Sequence, residues 1–344
     1  MPIVQSRRHL LTNIAVAGAT GFAGLGAAGL YGGRKSVAAE PPPEVTTIRL
    51  ERDPVICITP QVAEALLRQE GFTDIRYVDV TESDNVPGVI PHMMAQGEVD
   101  FGRSFAPDMV IGMDVGAPVT ILAGLHSGCF EILGRDDIRR ITDLKGRTIG
   151  VAVQSDKALL TIMTRLVGLD PDKDIHWIIS PTLSPAELFL EGKIDAFLGV
   201  PPILQEVRER HIGHTVASSI TDHPWSDYFC CLFAASTEFT RRYPVATKRV
   251  LRAFLKTMDL CASNPGAAAH VFVDQGITPR YDYAQQMLSE IRYDIWRDYD
   301  PEDTVRFYAL RLHEAGIVKS GPQTLIARHT DWRFLNELKR EMKT

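Results

Sequence analysis

The chain has no basic excess. It carries 37 lysines and arginines against 43 aspartates and glutamates, a formal net charge of −6 and a pI near 5.9. That balance does not neutralise phosphates, which excludes nucleic acid as a partner. No helix-turn-helix segment precedes the region of alternating strands and helices, so a DNA-binding regulator is not expected either. The sequence also lacks a nucleophile elbow and a phosphate-binding loop. Its five cysteines, Cys57, Cys129, Cys230, Cys231 and Cys261, lack metal-motif spacing. No catalytic residue, cofactor or metal site is therefore expected. The odd cysteine count leaves a free thiol unless chains pair, and most of these residues read as small buried hydrophobes. The one close histidine pair, His211-Ile212-Gly213-His214, reads as a surface loop.

The N-terminus carries a targeting pattern. Ser6-Arg7-Arg8-His9-Leu10-Leu11 is a twin-arginine pair, followed by a moderately apolar Gly/Ala-rich run to about Leu30 and small residues Val37-Ala38-Ala39 before Glu40. Residues 1–39 read as a twin-arginine export signal cleaved near Glu40. A membrane anchor is the competing reading, because the run is long enough to span a bilayer, but its glycines make it weakly hydrophobic. No cysteine lies near the end of the run, so no lipid anchor is expected. The mature protein is expected to be a soluble periplasmic monomer, with the twin-arginine translocase as its partner during export. Its length of 344 residues suffices for two medium domains, and its 45% apolar and 23% charged content is ordinary for a globular protein.

One stretch organises the rest. Gly97-Glu98-Val99-Asp100-Phe101-Gly102-Arg103-Ser104-Phe105-Ala106-Pro107 reads as a helix end, a short strand and the start of another helix. Gly97 suits the left-handed position that closes a helix, and Ser104 to Pro107 suits a helix start with Pro in the first turn. The pattern recurs as Gly192-Lys193-Ile194-Asp195-Ala196-Phe197-Leu198-Gly199-Val200-Pro201-Pro202. Two copies imply two similar α/β lobes. Arg103–Phe105 and Val200–Pro202 are then expected to face one cleft, where helix N-termini offer N–H groups to a ligand. Asp100 and Asp195 read as strand-start residues that hold the turn.

The remaining pattern fits this division. Residues 40–45 are a linker. Thr46–Leu50, Ile75–Val80 and Pro118–Leu125 read as strands, and helices are expected over Pro60–Glu70 and along Val86, Val89, Ile90, Met93 and Met94. After a crossing at His126-Ser127-Gly128, the strand Thr148–Val153 leads to Ser155 as the expected cap of a helix ending at Gly168. Ser184-Pro185-Ala186-Glu187 reads as a capping box. Short strands at Thr215–Ile220 and Tyr228–Ala234 precede helices over Arg241–Ser263, Tyr283–Ile291, Asp303–Ala315 and Thr330–Met342. The expected fold class is α/β, with two lobes that are each a helix-flanked sheet and a helical C-terminal tail. Lobe 1 takes 46–127 and 203–344, and lobe 2 takes 128–202.

Asp143-Leu144-Lys145-Gly146-Arg147-Thr148-Ile149-Gly150-Val151 with Ser155 following, Leu190-Glu191-Gly192-Lys193-Ile194-Asp195-Ala196, Gly97-Glu98-Val99-Asp100 and the tail Leu310–Ile317 carry a family resemblance. From about Thr46 to its end, the chain resembles the substrate-binding proteins of ABC importers in the nitrate/sulfonate/taurine group, which includes relatives for the thiamine pyrimidine precursor. The resemblance implies a type II periplasmic-binding-protein fold, hinge closure on a small-molecule solute and delivery to an ABC permease in the membrane. It places the binding residues at Cys57–Thr59, Ser104, Phe105, Ser127, Gly128, Gln154 and Ser155. The compressed turn Glu70-Gly71-Phe72-Thr73-Asp74 departs from the family pattern near the first loop.

The residues themselves point to an anionic organic solute. Helix N-termini favour anions, the three serines add hydroxyl donors, and Arg103 suits a carboxylate, sulfonate or phosphate. The competing reading makes Arg103 a surface arginine and each serine an ordinary cap. Phe105, Phe130, Trp225 and Tyr228 would supply flat walls for a heterocycle, or else be core aromatics. Two rival functions remain. Fungal thiamine-pyrimidine synthases are similar in fold and carry a cysteine-rich iron-binding motif, which Tyr228-Phe229-Cys230-Cys231-Leu232-Phe233 resembles only in its cysteine pair. A ligand-sensing module for a membrane receptor would use the same fold.

Overall fold

The computed structural model describes residues 40–52, 60–80, 88–179 and 184–343. The elements below all belong to one unit, Pro41–Thr344. The first lobe runs β1 (Thr47–Arg52), α1 (Glu64–Gln69), β2 (Asp74–Asp79), α2 (Val89–Ala95), β3 (Phe101–Phe105), α3 (Ala106–Asp114) and β4 (Val119–His126). The second runs β5 (Glu131–Gly134), β6 (Arg147–Val151), α4 (Gln154–Leu166), β7 (Ile175–Ile179), α5 (Pro185–Leu190), β8 (Ala196–Gly199), α6 (Ile203–Glu209) and β9 (His214–Ser218). The chain then returns through β10 (Cys231–Ser236) and α7 (Thr237–Arg242). Six more helices end it: α8 (Pro244–Ser263), α9 (Pro265–Asp274), α10 (Tyr281–Glu290), α11 (Pro301–Glu314), α12 (Pro322–His329) and α13 (Arg333–Glu341).

The two sheets have matching topologies. Their orders are β2-β1-β3-β10-β4 and β7-β6-β8-β5-β9. In each, one strand contributed from across a crossover runs antiparallel beside three parallel strands. This is the two-lobed periplasmic-binding-protein fold. The β4 sequence VTILAGLH is buried at every position, as an apolar run between two covered faces should be. A tilted aromatic contact joins the first sheet to the C-terminal helices: the Phe233 ring centroid lies 4.1 Å from that of Phe254 on α8. A smaller core in the second lobe gathers Leu133, Phe189, Phe197, Leu204 and Val207. The linker is tied down by Glu44, whose carboxylate accepts the N–H groups of Val245 and Ala246 at the start of α8 at 2.9 and 2.7 Å.

Four expectations are corrected. The return falls later than 203, because β9 pairs with β5 and keeps the chain in the second sheet to Ser218. Strand β3 runs on to Phe105, because Pro107 is tolerated one residue inside α3, so Ser104 lies in the strand and caps nothing. Helix α4 starts at Gln154 with Val153 at its N-cap, which puts Ser155 inside the first turn. The last helix, α13, starts at Arg333 rather than Thr330, because Thr330 is held in an isolated bridge with Ile121, and α12 precedes it as a helix that was not expected. The capping at Ser184 is as expected: its hydroxyl accepts the Glu187 N–H at 3.4 Å.

Candidate functional site

Two crossovers connect the lobes, residues 127–130 and 219–230. They are stitched side by side. The Ser219 hydroxyl accepts the N–H groups of Cys129 and Phe130 at 3.0 and 3.1 Å, and Cys230 N–H donates to the His126 carbonyl at 2.8 Å. Gly128 passes so close to Ile220 that a Cβ there would stand 2.7 Å from its side chain. Helix α3, which follows β3, packs against α4, which follows β6, so the two lobes also meet through these helices.

Buried polar groups collect at this end of the first sheet. Glu51, near the end of β1, is fully buried. Arg103, in β3, is 4% exposed. Its backbone N–H donates to Glu51 Oε1 at 2.9 Å, and its Nε lies 3.9 Å from the same oxygen. Burying either charge alone would be costly, and the pairing compensates both. Ser104 donates from its hydroxyl to the Asp108 carboxylate at 2.7 Å. Burial pushes the Asp108 carboxyl up to about 6, against the opposing hydrogen bonds from Ser104 and the Val89 N–H. The edge of Phe105 meets Phe130 at 6.3 Å between centroids.

The second lobe supplies Glu131, at the start of β5 and 3% exposed. It accepts the Thr215 hydroxyl at 2.7 Å and a charged hydrogen bond from Arg208 on α6. Arg208 also reaches Glu290 on α10 at 2.9 Å. The same two helices meet again through Glu209, which accepts from Tyr283 and Arg280. An ion-pair network thus spans from the second sheet to the C-terminal helices.

The residues singled out from sequence are distributed as follows. Arg103, Ser104 and Phe105 lie together along β3, and Ser127 and Gly128 lie in the first crossover, where Ser127 forms a backbone bridge with Arg292. Gln154 and Ser155 form the first turn of α4. Trp225 and Tyr228 sit in the second crossover but turn toward α11: Tyr228 stacks on Phe307 at 4.1 Å, and Trp225 meets the same ring edge-on at 5.9 Å. Cys57 and Thr59 lie outside the described residues. Sequence reasoning missed Glu51, Asp108, Glu131 and Arg208. A charged residue ending an apolar strand, as Glu51 does, was the available signal. It also treated the cysteines by spacing alone, whereas the fold places His126, Cys129 and Cys230 with donor atoms within 4.8 Å of one another.

The family described as NMT1/THI5 like matches residues 77–268. A 4-amino-5-hydroxymethyl-2-methylpyrimidine phosphate synthase of Saccharomyces cerevisiae is 22% identical over 236 residues, 62% of this chain and 68% of that protein. Another of the same yeast is 23% identical over 202 residues, and there the chain spans 59% of the relative's length. Among solved structures, the periplasmic nitrate-binding protein NrtA from Synechocystis superposes with a TM-score of 0.72 at 13% identity, covering 88% of this chain and 90% of that one. The alkanesulfonate-binding protein SsuA from Xanthomonas axonopodis, bound to MOPS, gives 0.65 at 14% identity, covering 86% of this chain and all of that one. Among the described residues, no helix is long and apolar enough to cross a membrane.

Proposed function

We infer, for a chain that belongs to the NMT1/THI5 like family, that it is the extracytoplasmic solute-binding component of an ABC importer. The observation that carries this is the meeting of both lobes at two stitched crossovers, with the buried Glu51–Arg103 pair at the strand ends beside them. A hinge made of these two crossover segments lets the lobes close on a solute and present it to a permease. The likeness in fold to binding proteins for nitrate and alkanesulfonate supports the same role. The solute is a small organic molecule with an anionic group and a flat part. The α4 N-terminus, carrying Gln154 and Ser155, and Arg103 face the anion, and Phe105 faces the flat part. Export follows the twin-arginine route, and the mature protein acts as a monomer.

Thermal shift with sulfonates, carboxylates, aromatic acids and pyrimidines tests the reading, since a ligand that binds only the folded state raises Tm by mass action. The best ligand is then titrated against Arg103→Ala combined with Glu51→Gln, which avoids leaving a buried lone charge. Binding is expected to weaken by roughly 100-fold, as for loss of a charged hydrogen bond worth about 3 kcal/mol. Equal binding by the double variant would remove the anion pairing. A shift only with neutral or cationic compounds would remove the anionic solute.

A second reading has its own support: the sequence relatives are named as pyrimidine phosphate synthases. On that reading the chain is an enzyme of related chemistry. Stoichiometric iron in the purified protein, with turnover of a pyrimidine precursor, would favour it over import.

A further inference from the structure

Three donor side chains converge where the two crossovers pass. His126 ends β4, Cys129 lies in the first crossover, and Cys230 closes the second. The imidazole nitrogen and the two sulfurs lie within 4.8 Å of one another. All three residues are buried, at 0%, 1% and 3% exposure. Their backbones are fixed by the Cys230–His126 and Cys129–Ser219 hydrogen bonds, so the donors are held on a rigid frame. The Tyr293 ring covers His126 at 5.4 Å between centroids.

We propose that His126, Cys129 and Cys230 form a binding site for a borderline-soft divalent cation of the Zn²⁺ class, seated between the crossovers. One imidazole and two thiolates are a donor set that selects zinc-like cations over the hard, oxygen-seeking ones. The charges close: the cation binds two thiolates and one neutral imidazole, the two thiol protons leave to solvent, and a neutral centre remains. No oxidation or reduction occurs. Donors around one tetrahedral cation stand roughly 3.3–3.8 Å apart, given bond lengths of about 2.0–2.3 Å. The present spread therefore asks for side-chain shifts of about 1 Å or less. Among the described residues, no fourth His, Cys, Asp or Glu joins the cluster, so one position stays open to water or to a solute atom. The donors come from the end of β4 and from both crossovers rather than from one cysteine run, so the cation would tie the two crossovers together. The site does not depend on which solute the cleft takes.

The test uses the full chain, reduced under anaerobic conditions and stripped with a chelator. Cobalt(II) serves as the probe. One equivalent is expected to give a thiolate-to-cobalt charge-transfer band, to release two protons in weak buffer, and to be displaced by one equivalent of zinc. Zinc alone is expected to raise Tm. Cys129→Ser and Cys230→Ser should each abolish the band, while Cys261→Ser, buried in the last turn of α8, should keep it. The wild-type measurement stands even if a variant fails to fold. Absence of the band in the wild-type chain overturns the site, as does its persistence in both cysteine variants. A Cys129–Cys230 disulfide in protein purified without reductant also overturns it, since oxidation consumes the donors. Iron retained in place of zinc overturns the assigned cation.

Discussion

The two lobes solve one folding problem with different chemistry. In each, a helix ends at a glycine, and an aspartate follows at the start of the next strand. In the first lobe the Asp100 carboxylate accepts the Arg49 N–H at 2.8 Å, and in the second Asp195 accepts the Thr148 N–H at 2.8 Å. The backbone repeats too: Asp100 N–H donates to the Arg49 carbonyl and Asp195 N–H to the Thr148 carbonyl, both at 2.8 Å. At the far end of the strands the lobes part. Strand β3 delivers Arg103, Ser104 and Phe105, whereas β8 ends at Gly199 and adds no charge. The second lobe acquires its charge from a neighbouring strand and helix, through Glu131 and Arg208. A repeated scaffold thus fixes the turn at one end of each strand and leaves the other end free to diverge in its side chains.

The sharpest contrast is at the start of the helix after the strand. The third residue of α3 is the buried Asp108, and the third residue of α6 is the buried amide Gln205. Only the first can titrate. The Asp108 pKa is raised to about 6 in the folded chain by burial. The folded state therefore holds a proton that the unfolded state has lost. Its stabilising contribution is complete below the ordinary aspartate pKa and disappears as pH rises through about 6. The difference is roughly 2–3 kcal/mol at its largest. Denaturant titrations at pH 4.5 and 7.5 should show that Asp108→Asn flattens this slope, while Gln205→Glu introduces a new one of the same sign. An unchanged slope in Asp108→Asn would break the contrast.

The paired aspartates give the next test. Asp100 holds more than its backbone N–H: Arg49 Nε and Nη2 reach it at 3.1 and 2.5 Å, and Asp100 raises the Arg49 pKa through that hydrogen bond. No such side-chain hydrogen bond to Asp195 occurs among the described residues. Asp100→Ala should cost about 2 kcal/mol and Asp195→Ala about 1 kcal/mol, the step between charge-assisted and simple hydrogen bonding. Arg49 is partly exposed, which keeps the first figure modest. Equal losses by urea denaturation would make the Arg49 pair irrelevant to stability.

These contrasts mark what the sequence could and could not carry. The repeat was legible because Gly97, Asp100, Gly192 and Asp195 act within one turn of chain. The capping at Ser184 was legible for the same reason. The helix starts at Ser104 and Ser155 were misplaced by one or two residues, since a small polar residue beside a turn has the same signature inside or outside a helix. The site was barely legible. Glu51 meets Arg103 across two strands, Glu131 meets Arg208 from β5 to α6, and Cys230 reaches Cys129 through both crossovers. Each pairing depends on sheet order, which local pattern does not set. Trp225 and Tyr228 read either as cleft walls or as core aromatics, and their contacts with Phe307, far along the chain, could not be read from local pattern.

The smallest expected effect tests whether the two turns are equivalent. Gly97 and Gly192 have φ of +70° and +76°, the left-handed region that a Cβ disfavours. Neither has a steric reason beyond that: a Cβ at Gly97 would meet nothing within 4 Å, and one at Gly192 only the Arg135 guanidinium at 3.8 Å. The cost of alanine is then purely conformational, about 1 kcal/mol at either site. Gly97→Ala and Gly192→Ala should lower the urea midpoint by the same amount with an unchanged slope. A slope that falls in one variant alone would mean that the lobes unfold separately. A loss of 3 kcal/mol or more at one site would mean that its turn carries a contact the other lacks. Equal small losses would leave the divergence of the lobes entirely to the strand ends, where Arg103 stands in one and Gly199 in the other.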